Sequence, residues 1–193
     1  MKKRIIRIAS LALVILGMVS CSDEQETALR PQDAKSIPMT FLVSHPGQAS
    51  RATETNFEKN DKIGLYVADA KAQLEIGGNL VNNEALTYDG SKWAAARALY
   101  WDKGTYTAYA YYPYIENVSS ITDQSFSVAL DQRVAKTATS LGGYEASDLL
   151  FATSKNISAS ASPINLTFKH IMSKLKIRLV KGEDFEGEMP ATA

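Results

Sequence analysis

Ser36 to Ala52 reads SIPMTFLVSHPGQASRA, and the reading of this stretch decides the fold. Ile37, Met39, Phe41 and Val43 alternate with Pro38, Thr40, Leu42 and Ser44. A period of two sets the four apolar side chains on one face of a β-strand, which then needs a groove elsewhere in the chain to bury them. His45, Pro46 and Gly47 end the strand, and Gln48 to Arg51 is small and polar. Such an exposed segment is open to a trypsin-like protease, and Arg51, followed by Ala52, offers the basic residue after which it would cut. The same spacing also suits a first strand followed by an ordinary short loop.

Upstream, Lys2, Lys3, Arg4 and Arg7 precede an apolar run from Ile8 to Val19. The run is shorter than the ~20 apolar residues that span a bilayer, and with its basic front it reads as a signal peptide over residues 1–20. Leu16 to Ser20 then leads into Cys21, the single cysteine of the chain, in a sequence that resembles a bacterial lipobox. The lipid would occupy the sulfur and amino group of Cys21, leaving no thiol for a disulfide, so stability outside the cytoplasm has to come from a packed core. Ser22 to Glu26 is an acidic cluster on a polar tether, similar to the signal that sends some lipoproteins to the outer face of the outer membrane. Residues 21–51 thus form a lipidated tether with a removable first strand.

The leader holds four of the 21 basic residues and no acid, which leaves 17 bases against 21 acids and excludes nucleic acid as a natural partner. Residues 52–193 are long enough for one domain with a real core, since a chain of this size buries about two thirds of its surface.

The remainder reads as short strands with turn signals between them and no long amphipathic helix. Lys62 to Ala68 buries Ile63, Leu65 and Val67. Ala70 to Asn83 reads as an irregular crossing. Ala85 to Trp93 reads as a hairpin in which Asp89-Gly90 forms a two-residue turn. Thr105 to Ile115, TYTAYAYYPYI, places tyrosines on both faces of a strand, which marks it as central and covered on both sides. A tyrosine platform for carbohydrate is the alternative, but alanines interleaved with the rings fit close packing better. Ser125 to Leu130 alternates as a strand with Phe126, Val128 and Leu130 on one side, and Asp148 to Ala152 is a short apolar strand.

From Ser162 to Val180, Ile164, Leu166 and Phe168 face inward at even positions and Leu175, Ile177 and Leu179 at odd ones, which demands a bulge or turn between Lys169 and Lys174. His170 sits at that change of parity. A metal site needs companion ligands, and the other histidine, His45, lies in the segment read as removable, so His170 is assigned a hydrogen-bonded structural role. No nucleophile motif, metal-ligand spacing or phosphate-cradling glycine loop is present, which argues against an enzyme and implies no cofactor and no metal.

Arg51-Ala52-Thr53, Asp61 to Tyr66, Tyr100-Trp101, Ala110 to Pro113, Asp148 to Leu150 and Phe168 to His170 followed by Leu175 occur in an order and spacing that resemble fimbrillin-like proteins, the lipoprotein-derived subunits and accessory proteins of type V pili. The resemblance implies an all-β, transthyretin-like antiparallel β-sandwich of about seven strands, forming the N-terminal domain. It implies other fimbrial subunits as partners through protease-triggered donor-strand exchange, and the outer membrane as the place of assembly through the lipid on Cys21. The family normally has a second sandwich and a C-terminal strand, so the chain reads as truncated, able to accept a donor strand but not to supply one. The competing function is a permanently lipid-anchored surface protein, either a pilus anchor or an adhesin or glycan-binding module with its own receptor.

Overall fold

The chain divides into two units, Met1–Pro31 and Gln32–Ala193. The computed structural model describes residues 33–47, 56–173, 180–184 and 186–188, all within the second unit. Cys21, Arg51 and Ala52 lie outside the described residues, as do the leader and Leu175, Ile177 and Leu179, the trio expected from the sequence to face inward.

Eight strands are described: β1 (Phe41–Ser44), β2 (Lys62–Asp69), β3 (Val81–Tyr88), β4 (Trp93–Ala95), β5 (Thr105–Tyr112), β6 (Leu150–Ser158), β7 (Ile164–Thr167) and β8 (Lys169–His170). Among the described residues, helix is confined to two single 3-10 turns, Ala34–Ser36 and Glu145–Ser147. The fold is an all-β sandwich. Six strands form an antiparallel sheet in the order β4-β3-β2-β5-β6-β8, and β1 and β7 form a second, two-stranded sheet. That second pair is parallel, with Phe41 opposite Ile164 and Ser44 opposite Thr167.

The aromatic strand β5 is central, flanked by β2 and β6. Its even positions, Tyr106, Ala108, Ala110 and Tyr112, join the core between the sheets. Its odd positions carry Tyr109 and Tyr111 on the opposite face, where Tyr66 of β2 stands across from Tyr109. Strand β2 is buried on both faces from Ile63 to Ala68, as one of the two central strands of a sheet covered on both sides must be. Gly64 is opposite Tyr111, and a Cβ there would collide with the Tyr111 ring, so the glycine lets the ring lie against β2.

The Tyr111 hydroxyl ties three segments together. It lies 2.6 Å from Asn83 Oδ1 and 3.0 Å from the Ile115 carbonyl, and it accepts from the Ile115 N–H at 3.3 Å. Asn83, at φ +41°, donates from Nδ2 to the Ile115 and Glu116 carbonyls. Burial raises the Tyr111 pKa from 10.0 to about 12, against the opposing hydrogen bonds from Ile115 and Asn83. A raised folded pKa contributes stability that is complete below the unfolded value and is lost as pH rises through the folded one. The melting temperature should therefore fall between pH 10 and 12, and a Tyr111→Phe variant, followed by circular dichroism across that range, should show a shallower fall.

At the start of β2, Asp61 is buried and accepts from the Glu58 N–H at 2.7 Å and from Lys136 Nζ at 2.6 Å. Burial alone would lower the Lys136 pKa, but the hydrogen bond and charge of Asp61, reinforced by Glu58, hold it above its usual value. This pair fastens the long connection between β5 and β6 to the sheet.

Four sequence readings need correction. Ser125 to Leu130 forms no strand: Leu130 is fully exposed, Val128 is exposed, and the Ala129 N–H donates to the Ser147 hydroxyl at 2.8 Å instead of to a neighbouring strand. A period-two pattern supplies a face, but a strand also needs an edge to pair with. The 89–92 loop is four residues long, with Tyr88 opposite Trp93 and Gly90 at φ +100°, because the Asp89 carboxylate accepts from the Ser91 and Lys92 N–H groups and widens the turn. The irregular crossing ends at Leu80, since Val81 already opens β3 and Asn83 belongs to it. Strand β6 runs on to Ser158, well past Ala152, through polar residues held by pairing with β5.

Candidate assembly site: the inserted first strand

The chain from Ile37 to Ser44 behaves as the sequence requires. Met39 is buried, Ile37, Phe41 and Val43 are partly buried against the core, and Pro38, Thr40, Leu42 and Ser44 are exposed. The structure brings all four predicted apolar residues to one face, with Met39 the one fully enclosed.

Its backbone is held from both sides. Along the first half, the Met39 N–H donates to the Leu99 carbonyl at 2.8 Å and the Trp101 N–H donates to the Ile37 carbonyl at 3.1 Å, around an antiparallel bridge between Pro38 and Tyr100. Along the second half, the Ile164 N–H donates to the Thr40 carbonyl at 2.8 Å and the Phe168 N–H donates to the Ser44 carbonyl at 3.0 Å. The segment is thus wedged between Leu99–Trp101 and β7. Sequence reasoning found the strand and its inward face, but missed both neighbours.

The groove beneath it is built from large side chains. Ile164, Leu166 and Phe168 alternate inward from β7 and are 2%, 0% and 1% exposed. Trp101 is 1% exposed, and its Nε1–H donates to the Ser160 carbonyl at 3.1 Å. Phe57 closes the far end, meeting the rings of His45, Trp93, Tyr112 and Phe168 edge-on at centroid distances of 4.8 to 5.5 Å. Edge-to-face aromatic packing at these separations adds to simple burial.

After Phe168 the chain leaves the small sheet and joins the large one, where Lys169 and His170 pair with Phe151 and Leu150. The bulge or turn expected between Lys169 and Lys174 rests on Leu175, Ile177 and Leu179, which lie outside the described residues. His170 has the hydrogen-bonded structural role assigned to it: Nδ1 lies 2.8 Å from Asp148 Oδ1 and Nε2 lies 3.2 Å from the Gly47 carbonyl. The His45 and His170 rings come within 6.2 Å, a proximity that sequence separation conceals. His170 therefore fastens the exit of the first strand to the start of β6.

A small sandwich whose first described strand lies in a groove between two segments of the same domain defines a class of all-β domains built around an inserted strand. Residues 50–193 match the family model described as fimbrillin-like, and the chain belongs to that family. A Bacteroides ovatus protein assigned as fimbrium tip subunit Fim1C is 30% identical over 129 residues, which cover 62% of this chain and 23% of that protein. The chain thus spans about a quarter of the length of the curated relative it matches. Among solved structures, a B. ovatus protein assigned to cell adhesion matches with a TM-score of 0.46 at 20% identity, covering 69% of this chain and 51% of that one. A protein of the same assignment from Bacteroides uniformis matches with a TM-score of 0.47 at 18% identity, covering 69% and 47%.

Proposed function

We propose that the chain is a structural or accessory subunit of a type V-like fimbria, delivered to the outer membrane by a lipid on Cys21 and released for assembly by cleavage after Arg51. The observation that carries this reading is the wedged strand. Ile37 to Ser44 fills a groove whose walls, Leu99–Trp101 and β7, belong to the main body of the domain, and the strand ends at Ser44, seven residues before Arg51 in the sequence. Cleavage would cut the strand's covalent link to the domain. The vacated groove would then present unpaired backbone at Leu99, Trp101, Ile164 and Phe168, and an extended strand from another subunit could satisfy these groups by β-augmentation. Other fimbrial subunits are accordingly the proposed partners.

Two substitutions test the steps separately. Labelled palmitate should enter the wild-type protein but not Cys21→Ala, and equal labelling of both would end the lipoprotein reading. Arg51→Ala should leave a longer, lipid-bearing form at the cell surface, visible by intact mass. A mature N-terminus that maps elsewhere or never changes would favour the permanently anchored reading, in which the first strand stays in place and the protein serves as pilus anchor or adhesin.

A further inference from the structure

Residues 113–149 join β5 to β6 without a strand of their own, the kind of long exposed connection in which proteases nick a folded domain. Leu130-Asp131-Gln132-Arg133-Val134 stands at its middle. Leu130 is fully exposed, Val134 is exposed, and the Arg133 side chain is 88% exposed. A protease that cuts after arginine, the activity proposed to act at Arg51, meets a second target in the Arg133–Val134 bond.

That bond is held on both sides. Before it, the Ala129 N–H donates to Ser147 Oγ at 2.8 Å, and Arg133 turns back on Asp131, its N–H and Nε each donating to Oδ1 at 3.0 Å and its Nη2 to Oδ2 at 3.3 Å. After it, the Val134 carbonyl accepts from the Gly143 N–H at 2.9 Å, and a Cβ at Gly143 would run into the Asp131 carbonyl. Lys136 then reaches into the body of the domain, with Nζ 2.6 Å from Asp61 Oδ1 and 3.1 Å from Glu58 Oε2. These ties differ in weight. The Asp131–Arg133 pair is exposed at both ends, and such pairs contribute little because water already solvates them. The Asp61 side chain is only 4% exposed, and without Lys136 its charge would stay buried with the Glu58 N–H as its remaining hydrogen bond among the described residues. Lifting the connection away would then return the carboxylate to water, so loss of Lys136 favours the open form.

We propose that the Arg133–Val134 bond is a latent second site for an arginine-specific endoprotease, kept closed by the tie of Lys136 to Asp61, so that processing is confined to Arg51. This rests on the cleavage reading given under the proposed function. Cutting at Arg133 is hydrolysis: one water is consumed, a carboxylate is left on Arg133 and an amino group on Val134. The two pieces would stay joined through the pairing of β5 with β6. Cleavage of a folded chain follows the population of the opened segment when opening and closing are fast, so the strength of the tie sets the rate at Arg133. Arg97 supplies an internal comparison. Its side chain is also exposed, but it lies outside the connection and is held by Glu84, to which Nε and Nη2 donate at 2.9 and 2.8 Å.

The test digests the chain from Ser22 onward with an arginine-specific endoprotease and follows each cut by intact mass under denaturing conditions. The wild type should be cut after Arg51 about tenfold or more faster than after Arg133. Lys136→Met should raise the rate at Arg133 about tenfold or more while leaving those at Arg51 and Arg97 unchanged. Asp131→Asn, which breaks only the exposed pair, should change the rate at Arg133 by no more than about fivefold. Wild-type cutting after Arg133 as fast as after Arg51, a rate at Arg133 that Lys136→Met does not move, or an equal rise in Asp131→Asn would overturn the assignment. A parallel rise at Arg97 in Lys136→Met would overturn it as well, because the tie would then support the whole domain rather than the connection. Absence of cutting after Arg51, with Arg133 opened by Lys136→Met, would end the processing reading and leave the latch in place; cutting after Arg51 with no response at Arg133 would do the reverse.

Discussion

A chain beginning at Ala52 should melt about 10 °C or more below one beginning at Ser22, and a peptide spanning Ser36 to Ser44 should restore most of the loss. The expectation follows from what the first strand covers. Burying an aliphatic or aromatic side chain contributes about 1.5 to 3 kcal/mol, which would place four of them at roughly 6 to 12 kcal/mol before ordering entropy is subtracted. Ile37, Phe41 and Val43 are only partly buried, so the true figure lies toward the lower end. Removal also strips partners from the carbonyl of Leu99 and the N–H groups of Trp101, Ile164 and Phe168, each hydrogen bond contributing about 0.5 to 1.5 kcal/mol. For a domain of this size each net kcal/mol moves the melting point by about 2 to 4 °C. The loss is large beside the ~5 to 15 kcal/mol that keeps a domain folded. Equal melting temperatures with no response to the peptide would remove the strand from the core and end the exchange mechanism with it.

Trp101→Ala should destabilise the full chain by about 3 to 5 kcal/mol, measured by chemical denaturation, whereas Leu42→Ala should stay within about 0.5 kcal/mol. Trp101 is 1% exposed on the wall of the groove, and its loss would leave both a cavity and an unpartnered Ser160 carbonyl. Leu42 lies on the same first strand but is 57% exposed, with its side chain on the solvent face. Comparable effects at the two positions would contradict the inward face assigned to Ile37, Met39, Phe41 and Val43.

How much of this was legible in the sequence depends on which physical property each element left in its residues. Faces were legible. The alternation from Ile37 to Val43, from Ile63 to Val67 and from Ile164 to Phe168 named residues that the structure places inward, and tyrosines on both faces of Thr105–Tyr112 identified the central strand. Neighbours were not. A period of two says which way a side chain points, but nothing about which strand lies beside it, so the parallel pairing of β1 with β7 left no local mark. For the same reason Ser125 to Leu130 imitated a strand. The second half of β6, from Thr153 to Ser158, was hidden in the opposite way, because polar residues there are held by ladder hydrogen bonds to β5 and need no apolar face.

The candidate site divides along the same line. The inserted residues were readable from their own pattern, whereas the walls that receive them, Leu99–Trp101 and β7, lie about 60 and 125 residues downstream and meet them only through the fold. His45 and His170 show the same limit, since their rings approach across that distance. Tyr66 shows another. The alternation of Lys62 to Ala68 turned it away from the buried Ile63, Leu65 and Val67, whereas the packed sheet covers both faces of the strand and buries the ring as well.

Amide hydrogen exchange tests the removable strand most directly. In the chain from Ser22, the N–H groups of Trp101, Ile164 and Phe168 should be protected, since each donates to a carbonyl of the first strand. In the chain from Ala52 these three should exchange rapidly while the β2–β5 ladder stays comparatively slow, and the Ser36–Ser44 peptide should return all three to slow exchange together. Protection of Trp101, Ile164 and Phe168 that persists without residues 36–44 would contradict the account, because the groove would then be closed by the domain itself and would have no place for a strand from another subunit.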